Sequence, residues 1–301
     1  MKVIRFEDSG GVVRWGELVG ELDQGAAGDR DSRAAGEAAG GPGEGGGGGA
    51  RERDGGAAVA RVIAGDLFGA FRVTKKTVEV ARLLAPVSPV NVIGIGLNYR
   101  RHAEESGFAV PEEPLVFAKL TTSVTGPRDP IVLPVDAPEE VDYEAELAIV
   151  IGKTARHVSE AAALECVLGY TCANDVSARD CQIRRDKQWT RAKGFDTFCP
   201  LGPCLVIDPT MDPNALRIRS RLNERVMQDS STADMIFSVR KLISYLSRQF
   251  TLLPGTVILT GTPEGVGFAR EPAVYLRAGD TIEVEIEGIG RLVNRVKSEA
   301  L

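Results

Sequence analysis

Histidine is nearly absent from this chain. The 301 residues include two, His102 and His157, which excludes His-rich zinc and iron centres and leaves oxygen donors for any metal chemistry. Magnesium or manganese, with calcium as a further oxygen-seeking ion, fits that donor set. Cysteine is sparse too. Cys166, Cys172, Cys181, Cys199 and Cys204 form no C-x-x-C pair, and an odd count of five argues against a disulfide framework. They read as reduced packing residues. No apolar run approaches the ~18 residues of a membrane span, and the first 21 residues lack both a signal-peptide core and the acid-poor, Arg-rich character of a transit peptide. The expected location is cytoplasmic, or mitochondrial where a presequence has been removed. Positive charge is not in surplus: 36 Lys and Arg face 42 Asp and Glu, for a net charge of −6. The basic residues are scattered, so neither nucleic acid nor a membrane is an expected partner.

What is present builds a globular protein. With 43% hydrophobic residues the chain can bury a substantial core in about one or two domains. The first twenty residues alternate in period two around Asp8-Ser9-Gly10-Gly11 and predict a hairpin. From about 24 to 57 the chain is Gly, Ala, Glu, Asp and Arg, which cannot bury enough apolar surface to offset its ordering entropy, so a flexible insertion is expected. It lacks the G-K-[ST] ending of a phosphate loop. Residues 1–87 therefore read as a small amino-terminal domain interrupted by this insertion, and 88–301 as the larger domain, joined through the Pro-containing connector Ala85 to Val90. In the larger part, strands are expected at NVIGIG, LVFAKL, IVLP, YTCANDVS, Arg217 to Leu222, Thr256 to Thr260 and IEVEIEGIGRLVNRV. Helices are expected after Leu97, at Ser159 to Leu168 and at Ser238 to Gln249. Short strands dominate and no βαβ alternation or repeat appears, so the class is α+β with a β-rich core.

The most informative stretch is Val141 to Ile151, VDYEAELAIVI. Read as one strand, it places Asp142, Glu144 and Glu146 on one face, with same-face neighbours roughly 6.6 to 6.8 Å apart. The run AIVI commits the strand to a buried place, where paired acids repel and lose hydration unless a cation joins them. Two such carboxylates can converge on one cation. The competing reading is a solvated acidic face. His102 and Glu105 stand three apart on a short predicted helix and can interact, the alternative being a surface histidine in a charged helix.

Beside these lie N-Y-x-x-H-x-x-E from Asn98, D-Y-E-x-E from Asp142, N-D-V-S-A-R-D from Asn174, K-G-F-D-T-F from Lys193 and T-G-T-P-x-G-V-G from Thr260. In this conjunction, from about Val92 to Val296, the chain resembles the fumarylacetoacetate hydrolase family, including its hydroxy-dienedioate isomerase relatives in bacteria. The resemblance implies a mixed β-sandwich roll and a homodimer. It also implies a magnesium ion held by Glu144, Glu146 and Asp175, with manganese or calcium as alternatives and Asp142 as a supporting or solvent-facing acid. His102 and Glu105 would act as a catalytic dyad, with Lys193 as a cation for the substrate's oxyanion and Thr262 as a substrate-binding residue. Arg179 and Gln182 would meet a distal carboxylate, against an internal pairing of Arg179 with Asp180. The stretch from Arg184 to Trp189 reads as a lid or as a plain loop. Lys119, in F-x-K, stays outside this site because packing beside the acidic strand explains it equally well.

The implied substrates are small 2-oxo or β-diketo acids that pass through an enolate. Oxaloacetate keto-enol tautomerisation, carbon–carbon bond hydrolysis including that of acylpyruvates, oxaloacetate decarboxylation and hydroxy-dienedioate isomerisation all share such a species. Two other classes compete. One is a non-catalytic, metal-stabilised scaffold, and the other is a phosphoryl-transfer enzyme, for which no phosphate cradle is found.

Overall fold

The structure is a computed structural model and describes residues 1–22 and 58–300. The glycine-rich insertion expected at 24–57 lies outside the described residues. The sequence AELAIVI, apolar at every position but Glu146, suits a strand covered on both faces. It forms the strand Ala145–Ile151, buried throughout. Leu147, Ile149 and Ile151 pack into one core with Leu242, Ile243 and Leu246 of the helix Val239–Gln249. Ala148 and Val150 pack into another with Leu201, Leu205 and Val257. Both strand edges are paired antiparallel, Ala145 lying opposite Asn174 on one side and Ala148 opposite Leu259 on the other.

From one edge, the large sheet runs Phe71–Glu79, Val59–Gly65, Val13–Val19, Lys2–Glu7, Cys199–Val206, Val167–Asn174, Ala145–Ile151, Val257–Leu259, Val92–Gly96 and Leu115–Lys119. Along this path the only parallel pair is Val257–Leu259 with Val92–Gly96. A second sheet, Arg225–Ser231, Arg217–Leu222, Thr281–Ile286, Gly290–Ser298 and Ile131–Leu133, contributes Ile218, Val284, Ile286 and Leu292 to the core around Leu147. This is the β-rich α+β architecture expected. The amino-terminal hairpin forms at the expected turn, and its first strand joins the sheet at Lys2 opposite Val206 while Ile4 and Phe6 enter the same core as Leu147.

Two expected elements differ. The acidic stretch is not one strand: Val141–Asp142 pairs with Ser177–Ala178 in a separate two-stranded ribbon, and Tyr143 and Glu144 lie between it and Ala145–Ile151. Side chains take the backbone donors at the break. The Tyr143 N–H donates to Asp142 Oδ1 at 2.8 Å and the Glu144 N–H to Asn174 Oδ1 at 2.9 Å. The expected helix from Ser159 to Leu168 is a set of turns ending in a 3₁₀ turn at Ala163–Cys166. There the Cys166 carbonyl accepts from the N–H groups of Gly152 and Lys153 at 2.7 and 3.2 Å, and the chain enters the sheet at Val167.

Candidate metal centre and active site

Strand register brings the site together. Glu146 is the second residue of the central strand, Asp175 follows Val167–Asn174, Gly261 lies just past Val257–Leu259, and the helix Arg100–Glu105 follows Val92–Gly96. Given the pairing directions, all four leave the sheet at one end. Glu144, Glu146 and Asp175 are all buried, and each offers a carboxylate oxygen within 4.8 Å of the others'. Three oxygens this close can reach one small divalent ion. The donor set is hard oxygen throughout, as such ions require.

Charge balance favours an ion as well. Four buried carboxylates, Asp142, Glu144, Glu146 and Asp175, face three buried cations, Lys119, Arg179 and Lys193, leaving one negative charge over. Lys193 Nζ bridges Glu144 Oε2 and Asp175 Oδ2 at 2.7 and 2.8 Å. Arg179 Nη2 lies 2.7 Å from Glu144 Oε1, and Lys119 Nζ lies 2.5 Å from Asp175 Oδ1. Burial alone would push the Glu144 carboxyl up, but Lys193 and Arg179 outweigh it and bring it down to about 2. Burial likewise disfavours the Lys193 ammonium, yet Asp175 and Glu144 raise its pKa. Glu146 differs. Its hydrogen bond among the described residues comes from the Gly261 N–H at 2.7 Å, and burial, Asp175 and Glu144 push its carboxyl well above the usual range. A buried acid beside two further carboxylates is where a divalent ion would be electrostatically favoured.

The glycine-rich turn after Val257–Leu259 is tied to these acids along its length. Thr260 Oγ1 donates to the Leu147 carbonyl, the Gly261 N–H to Glu146, and Thr262 Oγ1 to the Ala145 carbonyl, at 2.9, 2.7 and 2.9 Å. Asp142 accepts from the N–H groups of Gly267 and Phe268 at 2.7 and 3.0 Å and from Arg179 Nε at 2.8 Å. Asp142 is thus fully buried and supports the site, the solvent-facing alternative being excluded. Gly261 has φ +95°, and a Cβ there would meet Asn98 Cβ at 2.7 Å. Gly261→Ala is expected to cost about 2–3 kcal/mol in urea unfolding and to loosen Glu146. Asp142→Asn leaves Arg179 short of an anion and is expected to cost about 3 kcal/mol by the same measurement.

His102 and Glu105 meet as expected, His102 Nδ1 lying 2.8 Å from Glu105 Oε1. The Gly265 N–H holds the Glu105 carboxylate at 2.9–3.0 Å. Arg179 joins the cluster, but turned inward: it pairs with Asp142 and Glu144, Gln182 Oε1 accepts from its Nη1 at 2.7 Å, and Asp180 pairs instead with Arg185. The Thr262 hydroxyl is engaged on both sides, accepting from Gln228 Nε2 at 2.8 Å. Gln228 in turn accepts from the Ala145 N–H at 3.0 Å and ties the second sheet to the central strand. The stretch from Arg184 to Trp189 is pinned by ion pairs of Arg184 with Glu140 and Arg185 with Asp180, and the Trp189 ring packs edge-on to Phe117. Lys119 and Gln228 are the members of this network that sequence reasoning left out. For Lys119 the F-x-K motif was a signal; for Gln228 there was none.

A buried carboxylate triad with its own cationic braces, next to a His–Glu pair on a β-rich fold, defines a class of enzyme with an acidic centre able to hold a divalent ion. Comparison with known proteins narrows this. The profile of the fumarylacetoacetate (FAA) hydrolase C-terminal family matches residues 91–297. Among curated proteins, the chain is 50% identical over 231 residues to a fumarylacetoacetate hydrolase domain-containing protein 2 homolog of Dictyostelium discoideum, covering 73% of this chain and 75% of that one. It is 47% identical over 215 residues to oxaloacetate tautomerase Fahd2a, mitochondrial, of Rattus norvegicus, covering 71% and 68%. Among solved structures, 2-hydroxyhepta-2,4-diene-1,7-dioate isomerase from Mycobacterium marinum superposes with a TM-score of 0.79 at 39% identity, with 100% of both chains covered. The chain belongs to the fumarylacetoacetate hydrolase family and is an enzyme acting on a small molecule.

Proposed function

We propose that this enzyme uses a divalent ion, magnesium in the first place, to form an enolate from a small 2-oxo or β-diketo acid, and that its reaction is oxaloacetate keto-enol tautomerisation. The observation that carries the reading is Glu146, a buried acid beside Glu144 and Asp175 that makes no ion pair with a cation among the described residues. Glu144, Glu146 and Asp175 would hold the ion, which when bound supplies Lewis-acid stabilisation of the enolate. The chain's own residues do the rest. Glu105, fixed by the Gly265 N–H, orients the imidazole, and His102 moves the proton between carbon and oxygen as general base and acid. Lys193 holds developing negative charge beside the ligands. Arg179, Gln182 and Thr262 position the ligand-bearing segments, and any contact they make with substrate adds to that duty.

The name of the rat relative supports the tautomerase reading. A family carbon–carbon bond hydrolase is the second reading, supported by the FAA hydrolase profile, and the isomerase neighbour supports a third, hydroxy-dienedioate isomerisation. Acylpyruvate hydrolysis and oxaloacetate decarboxylation use the same site. A homodimer belongs to this proposal, as does a cytoplasmic location with a mitochondrial one as the alternative that the relatives' names favour. Proton NMR of oxaloacetate and acetylpyruvate incubated with enzyme and magnesium tests the reaction. Faster enol–keto exchange without new products is expected. Release of acetate and pyruvate from acetylpyruvate would select the hydrolase, and inertness toward both compounds would reject the proposal.

A further inference from the structure

Both oxygens of Asp175 carry a buried ammonium: Lys119 on Oδ1 at 2.5 Å and Lys193 on Oδ2 at 2.8 Å. Both oxygens of Glu144 also face a cation, Arg179 and Lys193. Each carboxylate oxygen has two lone-pair sites, so these groups can still ligate, but with charge already shared. The Lys119 and Asp175 side chains are both 0% exposed, so water screens this sharing little. Lys193 touches two candidate ligands and is itself placed in the reaction. Among the described residues, Lys119 donates to Asp175 and to the Val176 carbonyl.

We propose that Lys119 is a positioning residue that sets the strength with which this centre holds its divalent ion, by withdrawing charge from Asp175 and repelling the ion. The inference rests on the reading of Glu144, Glu146 and Asp175 as ligands. Its consequence runs against the usual effect of mutation beside a metal site, because neutralising Lys119 tightens the ion. The lysine keeps the ion exchangeable and in need of the substrate's oxygens, whereas a site with two uncompensated charges would hold it for itself.

Free manganese measured by electron paramagnetic resonance during titration of the full-length protein tests this, with wild type, Lys119→Met, Lys119→Gln and Lys119→Arg. The expected result is manganese binding at least tenfold tighter in Lys119→Met and Lys119→Gln, and within threefold of wild type in Lys119→Arg. Saturating manganese should also raise the unfolding midpoint more in the neutral variants than in wild type. Lys119→Gln keeps a donor for Asp175 Oδ1, so it carries the test where Lys119→Met fails to fold. Affinity unchanged or weakened in a folded neutral variant, with wild type binding manganese, would overturn the role of Lys119 alone. Wild type that binds no manganese would overturn the metal reading itself.

Discussion

Glu146→Gln is expected to weaken divalent-ion binding by at least ~10²-fold and to lower turnover by at least ~10³-fold, while making the metal-free protein more stable. The first two effects follow from loss of the proposed ligand on which the site's surplus charge resides. The third follows from the same fact in reverse: without an ion, Glu146 is a buried acid that burial, Asp175 and Glu144 all disfavour in its charged form. An amide of the same shape removes that cost, and the unfolding midpoint of metal-free protein should rise by about 2–4 °C. A carboxyl raised above its unfolded value contributes stability at low pH that is lost as pH rises through the folded pKa. The gap between Glu146→Gln and wild type should therefore widen with increasing pH. Glu144→Gln should behave oppositely in the metal-free protein, because it leaves Lys193 and Arg179 short of a partner and costs about 3–5 kcal/mol. Calorimetry of the two variants in chelator decides: two destabilised variants, or two unaffected ones, would contradict the charge distribution described above.

His102→Ala is expected to lower turnover by roughly 10²- to 10⁴-fold, the usual scale for a positioned general base, while leaving manganese affinity within a few-fold. The separation is possible because, among the described residues, the hydrogen-bond partner of His102 is Glu105 and not one of the three acids. Glu105 receives the Gly265 N–H, so the dyad hangs from the same turn that presents Gly261 to Glu146. Steady-state rates and a manganese titration on one preparation check both halves. Unchanged turnover would remove the dyad from the mechanism.

The sequence made much of this site legible because its signals are local. Glu144 and Glu146 are two residues apart, His102 and Glu105 three apart on a helix, and Asp175 follows an apolar strand directly. The run AIVI announced a strand buried on both faces. What escaped depends on partners far along the chain. The break at Tyr143 and Glu144 exists because Asn174, thirty residues away, takes the Glu144 N–H. Arg179 turns inward because Asp142, 37 residues earlier, offers a carboxylate already fixed by Gly267 and Phe268. Lys119 reads as strand packing until Asp175, 56 residues later, is seen at its ammonium. The expected helix after Ser159 is replaced by turns and a 3₁₀ turn at Ala163–Cys166, directly after which the chain pairs into the sheet.

The most direct test of the central claim is the ultraviolet decay of enol-oxaloacetate with magnesium, repeated in excess chelator and with Glu144→Ala. The account predicts fast decay with magnesium that falls to the uncatalysed rate in both controls. Decay that is equally fast in chelator, or in Glu144→Ala, would contradict a metal-dependent enolate as the species this site is built to stabilise.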